Sequence, residues 1–162
     1  MAGNTDEAIS RGLTPGEQRI AATIFGISID HGRVLIHNRK AYFFQPADTA
    51  ITPNGEVYFP PSSYKADFSK TVGDAAWLVH ELTHVYQHQH GMWVRTQGLL
   101  HRKYDYGDLS QTKRTIAGFL IEQQASIVED YFKLIHHAQP TRGTGSKADY
   151  ERVITFLPGK SQ

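Results

Sequence analysis

The sequence WLVHELTHVYQHQHG at positions 77–91 contains the pattern HELTH at positions 80–84. Apolar residues recur here with the period of a helix, which predicts a helix over about 74–91. Side chains four residues apart lie above one another on a helix, so the imidazoles of His80 and His84 can reach a single metal ion. The stretch therefore predicts a helix that presents two metal ligands on one face.

The other residues of this predicted helix separate into two faces. If His80 is taken as the origin and each residue turns the helix by about 100°, His84 falls at about 40°. Leu78, Leu82 and Val85 then fall between about 140° and 200°. We expect this apolar stripe to face the core, with the two histidines directed away from it into a cleft.

The chemistry of the pattern is typical of a zinc-dependent hydrolase. Zinc binds neutral imidazole nitrogen in tetrahedral geometry, and a catalytic zinc usually has three protein ligands and one water. Glu81 follows His80 directly, so its carboxylate points beside the metal and can take a proton from the attacking water. Zn²⁺ is therefore the expected cofactor, with Glu81 as the general base.

One candidate for the third ligand lies within the same stretch. His90 stands ten residues after His80, which is the spacing of the third histidine in the longer metzincin motif. That motif needs glycine at the position of Gln87, because the chain must turn back there. With Gln87 we expect the helix to continue, and His90 then points into solvent near the helix end.

A second candidate lies on a later helix, which the apolar period predicts over 119–137. Glu122 follows Ile121, a residue of the apolar stripe, so its carboxylate lies at the edge of the core-facing side and can point to a helix packed there. This position favours Glu122 as the third ligand. Glu129, seven residues further on, is the alternative on the same helix. The competing interpretation of Glu122 is an ordinary exposed glutamate.

The composition argues against several other classes of protein. The 162 residues are enough for one domain, and a net charge of +1 without a basic run argues against a nucleic-acid binder. No apolar stretch is long enough to span a bilayer, and residues 1–11 lack the apolar core of a secretory signal peptide. The absence of cysteine excludes disulfides, thiolate metal sites and a cysteine nucleophile.

The order of the predicted elements indicates an α+β domain. An N-terminal helix and antiparallel strands are followed by the HExxH helix and by a C-terminal helix that contains Glu122. Residues 1–13 are expected to form a flexible leader and residues 14–162 a single domain. Further predictions are a helix from Pro15 to Phe25, strands at 33–37, 42–44 and 153–157, and a hairpin over 51–59 with its turn at Asn54-Gly55.

HExxH followed by a glutamate on a later helix resembles the gluzincin group of metallopeptidases. The sequence is more similar to small zincin domains associated with Vgr- and Rhs-type elements of type VI secretion systems. The similarity covers most of the chain from about 14 to 137. Among the similar segments, only HExxH is specific when it is taken alone. The similarity lies in the segments FGISID at 25–30, NGEVYF at 54–59, HELTHVYQHQ at 80–89 and EQQASIVEDY at 122–131.

The resemblance implies His80, His84 and Glu122 as zinc ligands and Glu81 as the catalytic base. It also implies a toxic, antibacterial-type effector, made in the bacterial cytoplasm without a signal peptide and exported by a specialised secretion system. The implied partners are a peptide or protein substrate, a Vgr-type spike and an immunity protein. The chain departs from some gluzincins at Ser126, where those proteins have an aspartate that supports the first histidine.

Two further features indicate supporting roles around the metal. Tyr106 is expected to stabilise the negative charge that develops on the carbonyl oxygen, with Tyr104 and His101 as alternatives between the two metal-binding helices. Strand 56–59 precedes the metal-binding helix, as does the edge strand that pairs with an extended substrate in zincins. Such pairing supplies backbone hydrogen bonds with little sequence selectivity.

Two functions are compatible with these residues. The first is a zinc-dependent hydrolase of peptide bonds, in a protein or in the peptides of peptidoglycan, with Glu81 as the base. The second is a non-catalytic zinc-binding module that recognises a partner within a secretion system. A structural zinc site is closed by four protein ligands and needs no base. Glu81 and the three expected ligands therefore favour catalysis.

Overall fold

This computed structural model of the protein describes residues 10–92 and 103–160. These ranges contain helices α1 (Pro15–Phe25), α2 (Val72–Gln89), α3 (Ile121–Ile135) and α4 (Lys147–Val153). Helix α2 packs along α3, while α1 packs on α2 and α4 packs on α3. None of these described helices is long and apolar enough to cross a membrane. With a few short strands, they form a small mixed α/β domain.

Helix α1 begins and ends as the sequence predicts. The Thr14 hydroxyl accepts the backbone N–H of Glu17 at 3.2 Å, and the Glu17 carboxylate accepts the backbone N–H of Thr14 at 2.8 Å. This reciprocal capping satisfies two N–H groups at the helix start. Gly26 follows the helix with a φ of +53°, in the left-handed region that favours glycine.

Three short strands form a mixed sheet in the order β1 (Ser10–Arg11), β2 (Ile36–Asn38) and β3 (Val57–Phe59). Strands β1 and β2 are antiparallel, whereas β2 and β3 are parallel. The prediction of antiparallel strands is therefore wrong for the second pair. The long connection between β2 and β3 returns the chain to the same end of the sheet, which a tight hairpin cannot do. Strands β4 (Gly107–Asp108) and β5 (Gly143–Thr144) form a second, parallel pair.

The Asn-Gly turn forms as predicted, although the hairpin around it is short. Asn54 and Gly55 have φ values of +55° and +77°, the left-handed conformation that this dipeptide favours. A Cβ atom on Gly55 would lie 2.4 Å from the His88 ring, so the position also needs glycine for space. The two arms of the turn meet in an antiparallel bridge between Ile51 and Tyr58.

Two segments predicted as strands have another structure. Residues 42–44 form bends and turns, and the rings of Tyr42 and Phe44 stack 5.4 Å apart. Residues 153–157 lie at the end of α4 and in the turn after it, where Phe156 stacks on Phe25 of α1 at 5.6 Å. A short apolar run can be buried by ring packing or by strand pairing, and sequence period does not distinguish the two.

Residues 10–13 belong to the folded domain, whereas the sequence placed them in a flexible leader. Arg11 lies in β1, and its guanidinium donates to both carboxylate oxygens of Glu17, at 2.8 and 2.9 Å. The Glu17 side chain is completely buried, and a buried charge needs a paired counter-charge. The domain therefore begins before residue 14. Residues 1–9, the rest of the expected leader, lie outside the described residues.

Asp130 of α3 ties a distant loop to this helix from inside the core. Its carboxylate accepts the backbone N–H groups of Thr141 and Arg142, each at 2.9 Å, and the Tyr106 hydroxyl at 2.7 Å. The backbone N–H of Tyr106 donates to the Arg142 carbonyl oxygen at 3.1 Å, and the Tyr106 hydroxyl also contacts that of Tyr150. Burial and the hydrogen bond with Tyr150 raise the pKa of Tyr106 far above its ordinary value, so the phenol stays protonated.

Replacing Arg11 tests whether the first described strand stabilises the domain. Arg11→Ala should lower the free energy of unfolding by about 3 kcal/mol, because the buried Glu17 carboxylate loses its counter-charge. Arg19→Ala, on the exposed side of α1, is the matched control and should cost less than about 0.5 kcal/mol. Urea unfolding followed by circular dichroism measures both values. Equal stability of the two variants would show that the Arg11–Glu17 pair contributes nothing.

A second variant tests the structural role of the Tyr106 hydroxyl. Tyr106→Phe should destabilise the protein by about 1–2 kcal/mol, because the buried Asp130 loses a hydrogen-bond donor. Tyr131→Phe is the control, since its hydroxyl donates at 3.2 Å to the partly exposed Glu151 and should contribute less. The same urea unfolding measurement applies. The structural role is refuted if Tyr106→Phe is no less stable than Tyr131→Phe.

Candidate metal centre

Helices α2 and α3 bring three potential metal ligands together. His80 and His84 lie one turn apart on α2, and Glu122 lies in the first turn of α3. The Oε2 atom of Glu122 is 3.2 Å from His80 Nε2 and 3.3 Å from His84 Nε2. Each side chain offers a ligand atom within 4.8 Å of the others. A cation among these atoms would be within reach of all three.

The orientation of His84 is set by a hydrogen bond on the far side of its ring. Gln87 Oε1 lies 2.8 Å from His84 Nδ1. The amide nitrogen of Gln87 donates to the Ile121 carbonyl oxygen and to Gln124 Oε1, each at 3.0 Å. Because that nitrogen already faces two acceptors, the Gln87 oxygen faces His84 and accepts its Nδ1 proton. The Nε2 lone pair of the neutral imidazole is then left for a metal.

His80 has the same arrangement, with a carboxylate in place of the amide. Glu129 Oε2 lies 2.9 Å from His80 Nδ1, while Glu122 contacts Nε2. Lys133 lies 2.8 Å from the other oxygen of Glu129. A histidine bonded to a carboxylate through one nitrogen commonly binds zinc through the other. Glu129, the alternative third ligand in the sequence, thus lies behind the first histidine.

The carboxylates give the histidine pair a strong preference for positive charge. Burial lowers the pKa of His80, but hydrogen bonds to Glu122 and Glu129 outweigh this effect and raise it to about 10. Burial also lowers the pKa of His84, and the charge of Glu122 reverses this and raises it. Burial raises the pKa of Glu122, yet the two histidines bring it far below its ordinary value. The carboxylates thus favour positive charge at this position, as they would favour a bound divalent cation.

Glu81 is oriented by a residue from outside helix α2. The Thr52 hydroxyl donates to Glu81 Oε2 at 2.6 Å, and both side chains are buried. Glu81 and the neighbouring His80 line the same cavity. The carboxylate is therefore fixed in one orientation beside the potential ligands.

A cavity of about 510 Å³ opens at the cluster. Residues of helices α2 and α3 line it, and residues 48–53 line it as well. Its volume is within the range of pockets that bind small molecules or side chains. Four aromatic side chains also contribute to the lining, Tyr42, Phe44, Trp77 and Tyr104.

The structure separates Tyr106 from this cavity. Its side chain is buried, its hydroxyl is engaged by the two core partners described above, and it is absent from the cavity lining. This position argues against the predicted role in stabilising charge at the metal. Tyr104, one of the alternatives, lines the cavity, and its ring centre is 6.1 Å from that of His80. His101, the other alternative, lies outside the described residues.

Neither His90 nor Ser126 belongs to the group of candidate metal ligands in the structure. His90 is exposed, and its Nδ1 lies 2.8 Å from the Tyr86 carbonyl oxygen, so it lies outside the cluster as expected. The Ser126 hydroxyl oxygen is buried and has no hydrogen-bond partner in the described part of the chain. Glu129, three residues later on the same helix, contacts the first histidine instead.

The strand expected to pair with a substrate is covered by another segment. The backbone N–H and carbonyl groups of Tyr58 in β3 bond to those of Ile51, at 2.8 and 3.1 Å. Residues 56–59 are absent from the lining of the large cavity, whereas residues 49–53 line it. The prediction for strand 56–59 is therefore wrong, and residues 49–53 line the cavity in its place.

Three groups at the site were missed in the sequence. Gln87 lies three residues after His84 on one helix, so helical spacing could have indicated their contact. Thr52 is 29 positions from Glu81, and no local pattern joins them. Arg142 lines the cavity from a loop beyond α3, and only the folded chain brings it there.

Comparisons with known proteins relate the chain to one effector. No family model matches the sequence. The chain is 34% identical over 140 residues to the type VI secretion system spike protein VgrG2b of Pseudomonas aeruginosa. This match covers 82% of the chain and 14% of the spike protein. It resembles the solved structure of the effector domain of Pseudomonas aeruginosa VgrG2b with a TM-score of 0.72 and 30% identity, over 95% of this chain and 89% of that domain.

The two matches cover very different shares of the proteins that they align with this chain. The chain spans only 14% of the length of the spike protein, so the match to VgrG2b does not extend to the rest of that protein. The structural match covers nearly all of the effector domain, in fold and in sequence. The chain therefore belongs to the family of type VI secretion effector domains that includes the effector domain of VgrG2b.

Proposed function

We propose that the chain is a zinc metallopeptidase of the gluzincin type, which hydrolyses peptide bonds in a protein or in the peptides of peptidoglycan. The observation that supports this most directly is the group of donor atoms from His80, His84 and Glu122, all within 4.8 Å of one another at the edge of a cavity. Glu81 lies beside them in an orientation fixed by Thr52.

The donor set suits zinc better than the hard divalent cations. Two imidazole nitrogens and one carboxylate oxygen are typical of a catalytic zinc site, which keeps a further position open. Calcium and magnesium prefer shells made of oxygen. Both imidazoles are already engaged through Nδ1, His80 by Glu129 and His84 by Gln87, so both offer Nε2 to the metal.

The side chains around this site have distinct roles in hydrolysis. Zinc, when bound, polarises the scissile carbonyl group and makes water more acidic. Glu81 accepts a proton from the attacking water and returns it to the leaving amine. Thr52 donates to Oε2 of Glu81, so Oε1 is the oxygen offered to that proton. Glu129 and Gln87 keep the imidazoles in the orientation that the ion requires.

The alternative is a non-catalytic zinc module that recognises a partner of the secretion system. A structural zinc site is closed by a fourth protein ligand. Two further carboxylates lie near the cluster, but Glu129 is engaged by His80 and Lys133, and Glu81 by Thr52. The cavity of about 510 Å³ beside three donors favours an open, catalytic site.

The setting of this activity follows from membership of the effector family. We propose that the enzyme is an antibacterial-type effector, made in the bacterial cytoplasm and exported by a type VI secretion system. Its partners would be a Vgr-type spike that delivers it and an immunity protein that protects the producing cell. The support is the similarity to the VgrG2b spike protein and to its effector domain.

Elemental analysis of the purified protein tests the metal and the base together. The wild type should contain about one zinc ion per chain. Glu122→Ala should lose the zinc, because only two of the three protein ligands, the imidazoles, remain. Glu81→Gln should keep the zinc but hydrolyse peptides at least roughly 100-fold more slowly, because no group accepts the water proton. Rates are measured with fluorescent casein and with peptidoglycan-derived peptides.

The control for these variants is Glu151→Gln on α4, which should change neither zinc content nor rate, since Glu151 pairs with Lys147 away from the cluster. A wild type without zinc, or full zinc in Glu122→Ala, would contradict the ligand assignment. Unchanged hydrolysis by Glu81→Gln would contradict its role as base. Zinc-loaded wild type that hydrolyses neither substrate would support the non-catalytic alternative.

The support from Glu129 can be tested by metal affinity. Glu129→Gln should weaken zinc binding by about 10- to 100-fold, because an amide is a poorer acceptor for the His80 Nδ1 proton and leaves the imidazole less basic. Competition with a fluorescent zinc chelator measures the affinity. Ser126→Ala is the control on the same helix, and it should bind zinc as the wild type does. An unchanged affinity in Glu129→Gln would show that His80 needs no carboxylate behind it.

A further inference from the structure

The cavity beside the metal cluster contains a single permanent cation in its described lining. That residue is Arg142, and the other charged side chains of the lining, apart from the two histidines, are acidic. The acidic groups at the cluster already have partners. Glu122 contacts both histidines, and Glu129 contacts His80 and Lys133. Arg142 is therefore the permanently positive side chain of the described lining that an entering substrate can contact.

The backbone of Arg142 is held in place on both sides. Its N–H donates to the fully buried carboxylate of Asp130 at 2.9 Å, and its carbonyl oxygen accepts the N–H of Tyr106 at 3.1 Å. The neighbouring N–H of Thr141 donates to the same carboxylate at 2.9 Å. The loop that contains the arginine is thus anchored to α3, the helix that supplies Glu122.

The guanidinium group of Arg142 lies over an aromatic ring that is itself close to the metal cluster. Its guanidinium carbon lies 5.2 Å from the ring centre of Tyr104, and that ring centre lies 6.1 Å from the ring of His80. Stacking on an aromatic face orients a guanidinium group and leaves its N–H donors directed outward. The guanidinium is therefore within about three residues of a peptide bond held at His80.

The counter-charge of Arg142 is easily exchanged. Its ion pair with Asp105 is long, at 3.8 Å, and the two side chains are 50% and 75% exposed. Exposed pairs of this kind contribute little to stability. A carboxylate that enters the cavity can replace Asp105 at small cost and bind the planar guanidinium through two parallel hydrogen bonds.

We infer that Arg142 forms an anion-binding subsite, and that the peptide substrate has a carboxylate within about three residues of the bond that is cleaved. This inference rests on the proposed peptidase function and names its substrate class as acidic peptides. The carboxylate comes either from an Asp or Glu side chain or from a free C-terminus. Both sources have the same chemistry at the guanidinium, and binding probes separate them.

The test uses three hydroxamates that share one metal-binding group. Each contains a succinyl hydroxamate joined to an amino acid, which is glutamine amide in the neutral probe. Glutamate amide supplies a side-chain carboxylate, and glutamine with a free C-terminus supplies a terminal one. Isothermal titration calorimetry measures the Kd of each probe for zinc-loaded wild type, Arg142→Ala and Arg142→Lys. Arg19→Ala is the control that removes a distant exposed arginine.

For the wild type and for Arg19→Ala, at least one acidic probe should bind about tenfold more tightly than the neutral probe. Whichever acidic probe gains affinity identifies the source of the carboxylate. Arg142→Ala should abolish the difference while binding the neutral probe as the wild type does. Arg142→Lys should retain part of it, because lysine keeps the charge but lacks the planar fork.

Two results would overturn the inference and leave the proposed function intact. In the first, zinc-loaded wild type binds all three probes equally. In the second, Arg142→Ala keeps its zinc but weakens the neutral probe as much as the acidic ones, which shows no discrimination of charge. A wild type that binds neither zinc nor any hydroxamate would instead overturn the proposed peptidase function, and the subsite with it.

Discussion

The packing of helix α2 against helix α3 is the constraint on which the whole site depends. Each helix has a fully buried apolar stripe, which includes Leu78 and Leu82 on α2 and Ala125 and Val128 on α3. Burial of these stripes fixes the faces that meet, and the polar side chains at the edge of the contact must then satisfy one another. Carboxylates 42 and 49 positions away from His80 become its partners. Such charges are tolerated inside the protein because they are paired.

Different faces of helix α3 contact His80, anchor the loop that contains Arg142 and link these two groups through Lys133. Glu122 and Glu129 are two turns apart and contact the two nitrogens of one imidazole. Asp130, next to Glu129, points into the core and anchors the loop that contains Arg142. Lys133 lies within 4 Å of both Glu129 and Asp130 and links the two groups. Helix α3 thus supplies Glu122 to the candidate metal centre and also anchors the loop that contains Arg142, and such support from a rigid helix helps a site to keep its geometry.

Another part of the cavity lining comes from a segment outside helices α2 and α3. Residues 48–53 have little regular structure, yet Ile51 bridges to Tyr58 and Thr52 bonds to Glu81. The turn at Asn54-Gly55 follows this segment directly, and its left-handed backbone directs the chain into β3. The side chain of Glu81 on α2 is therefore oriented by a loop whose own position depends on the sheet.

The sequence by itself determined helices α2 and α3, the start of α1, the Asn-Gly turn and the grouping of His80, Glu81 and His84. These features depend on contacts within a few residues, which spacing and capping patterns report directly. The tertiary structure alone decided the parallel pairing of β2 with β3, the place of Arg11 in the folded domain beside the buried Glu17 and the place of Glu129 behind His80. It also placed Tyr106 in the core and Arg142 in the cavity. Each of these depends on segments that are distant in the chain and on which faces of the helices are buried together, and no local pattern contains that information.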